Sequence, residues 1–145
     1  MRDLKVVELD DEAAAKLTER YAGTNVHVVI GSAAELTYPD ESFDSVGTFT
    51  MLHHIPTLAL QNKVLAEAFR VLRPGGALVG SDSLPSNDLH HFHVDDTYNP
   101  LEPAALLTRL QTIGFARVTI TVDWSVKFVA TKAAPSGASD ASDGA

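Results

Sequence analysis

The stretch Glu67–Gly76 reads EAFRVLRPGG, and it decides the fold of this 145-residue chain. It closes a predicted helix that Thr57 caps and that runs to about Leu72 with its apolar residues on one face. The Pro-Gly-Gly sequence stops that helix, and the apolar residues Ala77–Ser81 follow at once as a strand. A helix joined so closely to a buried strand indicates an α/β protein.

The chain before this stretch also alternates strands and helices. Predicted strands cover Leu4–Leu9, Asn25–Ile30 and Phe43–Phe49, and a predicted helix runs from Glu12 to about Tyr21. The joints between these elements are short. This order favours a parallel, doubly wound sheet.

The last third of the chain follows another pattern. The residues from Leu84 to Pro100 form a long polar loop, after which Pro103 opens a helix that Gly114 closes. The strands Ala116–Trp124 and Val126–Lys132 then follow with almost nothing between them. A parallel crossover needs a dozen or more residues, so these two strands must form an antiparallel hairpin. Residues 133–145 contain no large apolar side chain and are predicted to be a disordered tail to a domain of residues 1–132.

Composition excludes several classes of protein. The chain is 45% hydrophobic and 21% charged, as soluble globular proteins are, and it carries a net charge of −8. That acidity argues against nucleic-acid partners and anionic membranes, and no apolar run is long enough to span a bilayer. The absence of cysteine excludes disulfides, thiolate metal sites and cysteine nucleophiles. It fits a cytoplasmic location.

Five stretches together resemble the class I S-adenosylmethionine-dependent methyltransferases, in that family's order and spacing. The resemblance extends from about Val6 to Lys132. It implies S-adenosyl-L-methionine as cofactor and a Rossmann-like doubly wound sheet with a C-terminal antiparallel hairpin. The five stretches are Val6–Asp10 (VVELD), Gly31–Leu36 (GSAAEL), Pro39–Val46 (PDESFDSV), Met51–His54 (MLHH) and Glu67–Gly76.

The resemblance implies a set of cofactor-binding residues, namely Glu8, Leu9, Ser32, Ala33 and Thr48. Glu8 stands where the family's second strand ends on an acid that accepts the ribose hydroxyls, as in dinucleotide folds. Ser32 replaces the family's aspartate beside adenine, and a hydroxyl accepts that hydrogen bond more weakly than a carboxylate. Each feature also has a plain structural interpretation. Glu8 is then a surface or capping acid, and Ser32 caps a glycine turn.

Histidines supply the candidate catalytic groups. A general base assists methyl transfer to a hydroxyl or an acidic C–H, and histidine suits that task near neutral pH. By the resemblance, His54 is the first candidate and His53 the second; the alternative is that one of them lines a helix start. The run His90–Asp96 suggests a metal site, but adjacent residues in a loop point in different directions. We therefore expect no metal, and the loop is predicted to be solvated, to face the substrate or to act as a lid.

The family's opening strand and glycine-rich turn have no counterpart in the sequence. Only five residues precede Val6, and no Gly-x-Gly occurs. The chain is therefore predicted to be truncated before or within that motif. The absent strand would lie between Val6–Glu8 and Phe43–Phe49, leaving two unpaired edges. Direct pairing of these strands, a homodimer through the open sheet, or a misassigned start would fill the gap.

Three functions remain open from the sequence. The first is S-adenosylmethionine-dependent methyl transfer to a small molecule. The second is a catalytically inactive methyltransferase-like fragment or interaction module, which the missing glycine-rich turn favours. The third is a nicotinamide-dependent enzyme, against which the terminal hairpin and the Arg-Pro-Gly-Gly stop argue. The acceptor stays undetermined.

Overall fold

The computed structural model describes residues 3–49, 51–83 and 101–134. The chain divides into two compact units, residues 1–37 and residues 38–145. Each unit contains its own sheet of parallel or mixed strands. No helix among the described residues is long and apolar enough to cross a membrane.

The first unit is a β-α-β motif. Its strands β1 (Leu4–Glu8) and β2 (Val26–Ile30) are parallel and pair in register along their whole length. The helix α1 (Asp11–Arg20) connects them. Asp10 caps this helix, because its side chain accepts a hydrogen bond from the Ala13 N–H at 2.7 Å. All three elements lie within one residue of the predicted bounds.

The second unit is a four-stranded mixed sheet in the order β3-β4-β6-β5. β3 and β4 are parallel, whereas β6 runs antiparallel to both β4 and β5. The predicted C-terminal antiparallel hairpin is therefore confirmed. The elements are β3 (Phe43–Phe49), a 3₁₀ turn (Leu52–His54), α2 (Leu58–Val71), β4 (Leu72–Ser83), α3 (Pro103–Ile113), β5 (Arg117–Val122) and β6 (Ser125–Thr131).

The strand β4 begins earlier than the sequence predicts. It starts at Leu72, directly after α2, rather than at Ala77. The pairing jumps from Phe43–Leu72 to Ser45–Ala77, so the Pro-Gly-Gly segment is a bulge within the strand. Gly75 has φ +86°, and a Cβ on Gly76 would lie 2.7 Å from the Asp44 carbonyl oxygen. Both positions therefore require glycine.

The core of the second unit lies on one face of its sheet. The helix α2 packs against β4 and against α3, which covers β5. The buried face carries fully enclosed residues such as Leu78 and Phe128. The opposite face exposes Phe49, Val79 and Val129. The helices α2 and α3 thus cover one face of this sheet.

The described strands form two separate sheets, one in each unit. Among the described strands β1 pairs only with β2, and β3 pairs only with β4, so two separate sheets replace one continuous sheet. Direct pairing of β1 with β3 was one predicted way to fill the gap, and it does not occur. The predicted polar loop, with its His90–Asp96 run, lies outside the described residues. So do residues 135–145 of the predicted tail.

Candidate active site

Two of the predicted binding segments meet at one edge of the first unit. Glu8 is the last residue of β1 and pairs in register with Ile30, the last residue of β2. The Gly31 N–H donates a hydrogen bond to the Glu8 carbonyl at 3.0 Å. Glu8 and the turn that begins at Gly31 are therefore neighbours at the carboxyl ends of parallel strands, where α/β folds bind ligands.

The Glu8 side chain retains capacity for a ligand. Its Oε1 accepts a hydrogen bond from the Asp10 N–H at 3.2 Å, which is the surface-acid role that the sequence left open. A carboxylate has about four acceptor positions on two oxygens, so this bond does not exhaust it. Leu9 beside it is 74% exposed. An apolar side chain left in solvent there fits contact with a planar ring.

Ser32 and Ala33 lie in the turn after β2. Ser32 Oγ accepts a hydrogen bond from the Ala34 N–H at 3.1 Å, as in the serine-capped turn that was the plain interpretation. The hydroxyl still has its own hydrogen to donate and a second lone pair to accept. Ala33 is half-buried. The turn is therefore built by Ser32 and keeps one polar group for a ligand.

Thr48 is a buried residue near the carboxyl end of β3. It is 5% exposed, and its Oγ1 has no hydrogen-bond partner among the described residues. Its neighbour in the register is Gly80, and a Cβ there would lie 2.7 Å from Thr48 Oγ1. A buried hydroxyl without a partner costs about 1–3 kcal/mol. Such a group suits a ligand that completes its hydrogen bonding.

The two candidate bases lie in different surroundings. His53 is 4% exposed, and its Nδ1 lies 2.5 Å from Asp82 Oδ1. His54 is exposed, and its ring contacts the His53 ring with 3.9 Å between centroids. A carboxylate only accepts hydrogen bonds, so the hydrogen of this pair lies on His53 Nδ1. The buried His53 ring is thus oriented by the Asp82 carboxylate.

Asp82 is a buried candidate residue to which the sequence assigned no role. It is buried at the end of β4 and accepts hydrogen bonds from the Leu52 and Ser83 N–H groups, each at 2.8 Å. The sequence placed an acid at the end of this strand. Its pairing with His53, 29 positions earlier, depends on the parallel packing of β3 and β4.

A second buried polar group holds the same turn from the other side. Gln61 of α2 is fully buried, and its Nε2 donates to the Leu52 carbonyl at 2.7 Å. Its Oε1 accepts from Arg109 Nη2 of α3 at 2.9 Å, and Arg109 Nε donates to Asn62 Oδ1 at 2.7 Å. Burial lowers the pKa of the Arg109 guanidinium from its ordinary value. The 3₁₀ turn is therefore tied to β4, α2 and α3.

Comparison with known proteins supports the resemblance. A family described as "Methyltransferase domain" matches residues 2–80. A Mycolicibacterium smegmatis protein named "Probable S-adenosylmethionine-dependent methyltransferase" is 34% identical over 118 residues, covering 77% of this chain and 43% of its own length. A phthiotriol/phenolphthiotriol dimycocerosates methyltransferase of Mycobacterium ulcerans is 37% identical over 92 residues, covering 63% of this chain and 33% of its own length. The chain thus spans about a third to two fifths of these curated relatives.

Solved structures show the same fold. A SAM-dependent methyltransferase of Methanosarcina mazei superposes with a TM-score of 0.73 at 16% identity, covering 92% of this chain and 83% of its own. The structure described as "PigF with SAH" superposes with a TM-score of 0.69 at 21% identity, covering 89% of this chain and 43% of its own. At these identities the likeness concerns the fold alone. Since the family match includes more than half of the residues, the chain belongs to the methyltransferase domain family and has the fold of the class I S-adenosylmethionine-dependent methyltransferases.

Proposed function

We propose that this protein takes part in S-adenosylmethionine-dependent methyl transfer to a small molecule, with His53 as the general base. The observation that carries the proposal is the buried His53–Asp82 pair at the carboxyl ends of β3 and β4. A histidine oriented by a carboxylate is a recurrent arrangement for proton removal. The methyl acceptor is then a group that must lose a proton, such as a hydroxyl or an acidic C–H.

Side chains of the first unit suit the nucleoside part of the cofactor. Glu8 offers free acceptor positions for ribose hydroxyls, Leu9 offers exposed apolar surface, and Ser32 offers a hydroxyl. In the second unit Thr48 offers a buried hydroxyl without a described partner. We assign these residues, with Ala33, to cofactor binding. When bound, S-adenosylmethionine supplies an electrophilic methyl group on a positively charged sulfur.

His53 acts through its second ring nitrogen. With the hydrogen on Nδ1 directed to Asp82, a neutral imidazole carries its lone pair on Nε2 and can accept a proton there. Asp82 then stabilises the imidazolium that forms. His54 is exposed, which suits contact with solvent or with the acceptor, whereas His53 is buried against Asp82. We therefore place His53 before His54 as the base, the reverse of the order that the resemblance suggested.

The remaining sequence inferences belong to the same proposal. A net charge of −8 supports a small molecule rather than a nucleic acid as the methyl acceptor. The lack of cysteine supports a cytoplasmic location. The edges of β1 and β3 that have no described partner support a homodimer through the open sheet. Light scattering across a range of protein concentrations tests the dimer, and a monomer at every concentration would refute it.

Calorimetry with S-adenosylmethionine, followed by transfer of a labelled methyl group to a panel of hydroxylated small molecules, tests the function. His53→Gln and His54→Gln form a matched pair of variants. We expect both to bind the cofactor and only His53→Gln to lose transfer by about 100-fold or more. If the parent neither binds cofactor nor transfers methyl groups, the alternative of an inactive fragment or interaction module is correct.

A further inference from the structure

We propose that Gln61, held by Arg109, is a positioning residue for His53. Gln61 acts on the turn Leu52–His54, which follows β3. Both backbone groups of Leu52 are hydrogen-bonded to buried side chains: its N–H to Asp82 at 2.8 Å and its carbonyl to Gln61 at 2.7 Å. These two groups belong to the peptide units on either side of Leu52, and neither unit can rotate without breaking a hydrogen bond to a buried side chain. The backbone that leads into His53 is therefore fixed.

The orientation of the Gln61 amide follows from its partners. An arginine can only donate hydrogen bonds, so the guanidinium of Arg109 requires the Gln61 carbonyl oxygen on its side. The Leu52 carbonyl can only accept, so it requires the Gln61 NH₂ group. The two partners select one of the two amide orientations. Arg109 therefore determines that Gln61 presents a donor to the turn.

The geometry links α3 to His53 through one continuous set of contacts. Arg109 joins α3 to Gln61 of α2, Gln61 joins α2 to Leu52, and Leu52 shares the Asp82 carboxylate with His53. Removing the Gln61 donor leaves the Leu52 carbonyl with its bond from the Ile55 N–H within the turn, at 3.0 Å, and removes the side-chain bond that ties the turn to α2. The turn then depends on Asp82 for its attachment to the core. The tautomer and direction of the His53 ring then cease to be fixed.

The variant Gln61→Glu tests this arrangement. It has nearly the same shape and keeps an acceptor for Arg109, but it replaces the donor to Leu52 with a second acceptor. The readouts are the ¹⁵N resonances of the His53 imidazole, assigned with His53→Gln, and hydrogen exchange of the Leu52 amide. Both are measured on the chain without cofactor or acceptor.

In the parent chain we expect one His53 tautomer, with the hydrogen on Nδ1, and a protected Leu52 amide. In Gln61→Glu we expect His53 resonances averaged between tautomers and Leu52 exchange faster by about tenfold or more. Exchange of Leu110, buried in α3, serves as an internal reference for global opening. His53 resonances and Leu52 exchange identical to those of the parent would overturn the proposal.

Arg109→Met provides a second, independent variant in case Gln61→Glu does not fold. It keeps the aliphatic stem of the side chain but no longer selects the Gln61 amide orientation. We expect the same changes at His53 and Leu52 in smaller measure, and parent-like values would also overturn the proposal. Asn62→Ala is the control, since Asn62 contacts Arg109 but not Gln61 or the turn in the described bonds.

The consequence for catalysis rests on the proposed function. If the chain transfers methyl groups, we expect Gln61→Glu to lower kcat by about tenfold to a hundredfold with KM unchanged, because a displaced base affects only the reacting geometry. A parent chain without activity would refute the proposed function, whereas the imidazole resonances and the Leu52 exchange would still decide the role of Gln61.

Discussion

Asp82 and His53 lie 29 positions apart in the sequence and 2.5 Å apart in space, from Oδ1 to Nδ1. The pair joins the end of β4 to the turn after β3. Asp82 also holds the Leu52 and Ser83 N–H groups, so one buried carboxylate satisfies three donors. Buried charge of this kind is stable only when it is fully hydrogen-bonded.

The variant Asp82→Asn is expected to lower both stability and order in the turn. An asparagine presents an NH₂ group where the carboxylate presented an acceptor, so one of the three donors loses its partner. We expect the free energy of unfolding to fall by about 1–3 kcal/mol, measured by denaturant unfolding. Asp44→Asn is the control. Its partner Arg73 is a surface residue, and such a pair contributes about 0–1 kcal/mol. Equal effects in the two variants would contradict the structural role of Asp82.

Glu8→Ala is expected to weaken binding of S-adenosylmethionine. The carboxylate at the end of β1 is the proposed ligand of the ribose hydroxyls, and a hydrogen bond to a charged group contributes about 1.5–3 kcal/mol. Calorimetry measures the loss. The control is Glu19→Ala, which removes an exposed carboxylate from α1 of the same unit. A Glu8→Ala variant that binds as well as the parent would show that Glu8 is a surface acid only.

Thr48→Val is expected to raise stability while weakening cofactor binding. The change keeps the shape of the side chain and removes a buried hydroxyl that has no described partner. We expect the unliganded chain to gain about 1–3 kcal/mol in free energy of unfolding. Thr119→Val, on exposed β5, serves as the control and should change little. A destabilised Thr48→Val variant would mean that the hydroxyl is already satisfied.

The β5–β6 turn is expected to lose stability in acid. The Ser125 N–H donates to Asp123 Oδ1 at 2.9 Å and Lys127 Nζ to Oδ2 at 3.0 Å. The Ser125 bond first, and Lys127 second, lower the pKa of Asp123 from its ordinary value of 3.8. Because the pKa of Asp123 is lower in the folded state than in the unfolded state, ionised Asp123 contributes its full stabilisation above pH 3.8. This stabilisation is lost as the pH falls through the lower pKa of the folded state.

Fluorescence of Trp124 reports this transition, because the chain has one tryptophan and it lies between Asp123 and Ser125. The ring is 84% exposed and contacts Lys127 at 5.3 Å from its centroid. We expect acid to change the Trp124 fluorescence of the parent chain. We expect no such change in Asp123→Asn, because the asparagine side chain does not ionise. The same change of fluorescence in the parent and in Asp123→Asn would show that other carboxylates cause it.

Removal of residues 133–145 is expected to leave the melting temperature within about one or two degrees of the parent value, because these residues offer no large apolar side chain to bury. The control is a deletion of residues 132–145, which also removes Lys132. Lys132 Nζ donates to the carbonyls of Phe69 and Leu72 at 3.0 Å each, and its N–H donates to Gly76. Loss of Lys132 should therefore lower the melting temperature, and an equal drop in the shorter deletion would show that the tail contributes.

The sequence determined the local elements of this protein. The spacing of apolar residues, the helix caps and the glycines that end helices each depend on a few neighbouring residues. The sequence therefore predicts α1 and the strand Phe43–Phe49 to within one residue. The short connection after Trp124 required a hairpin, and a hairpin is present. The order of the five sequence stretches along the chain indicated the methyltransferase family. The early start of β4 was missed, because a bulge depends on the strand beside it.

The tertiary structure alone decided which polar residues act together. The sequence assigned no role to Gln61 in α2 or to Asp82 near the end of β4. Their common attachment to Leu52 arises because α2 and β4 pack around the turn after β3. Such contacts join residues far apart in the chain, and no local pattern encodes them. For the same reason the sequence placed His54 before His53 as the candidate base, whereas packing buries His53 against Asp82 and leaves His54 exposed.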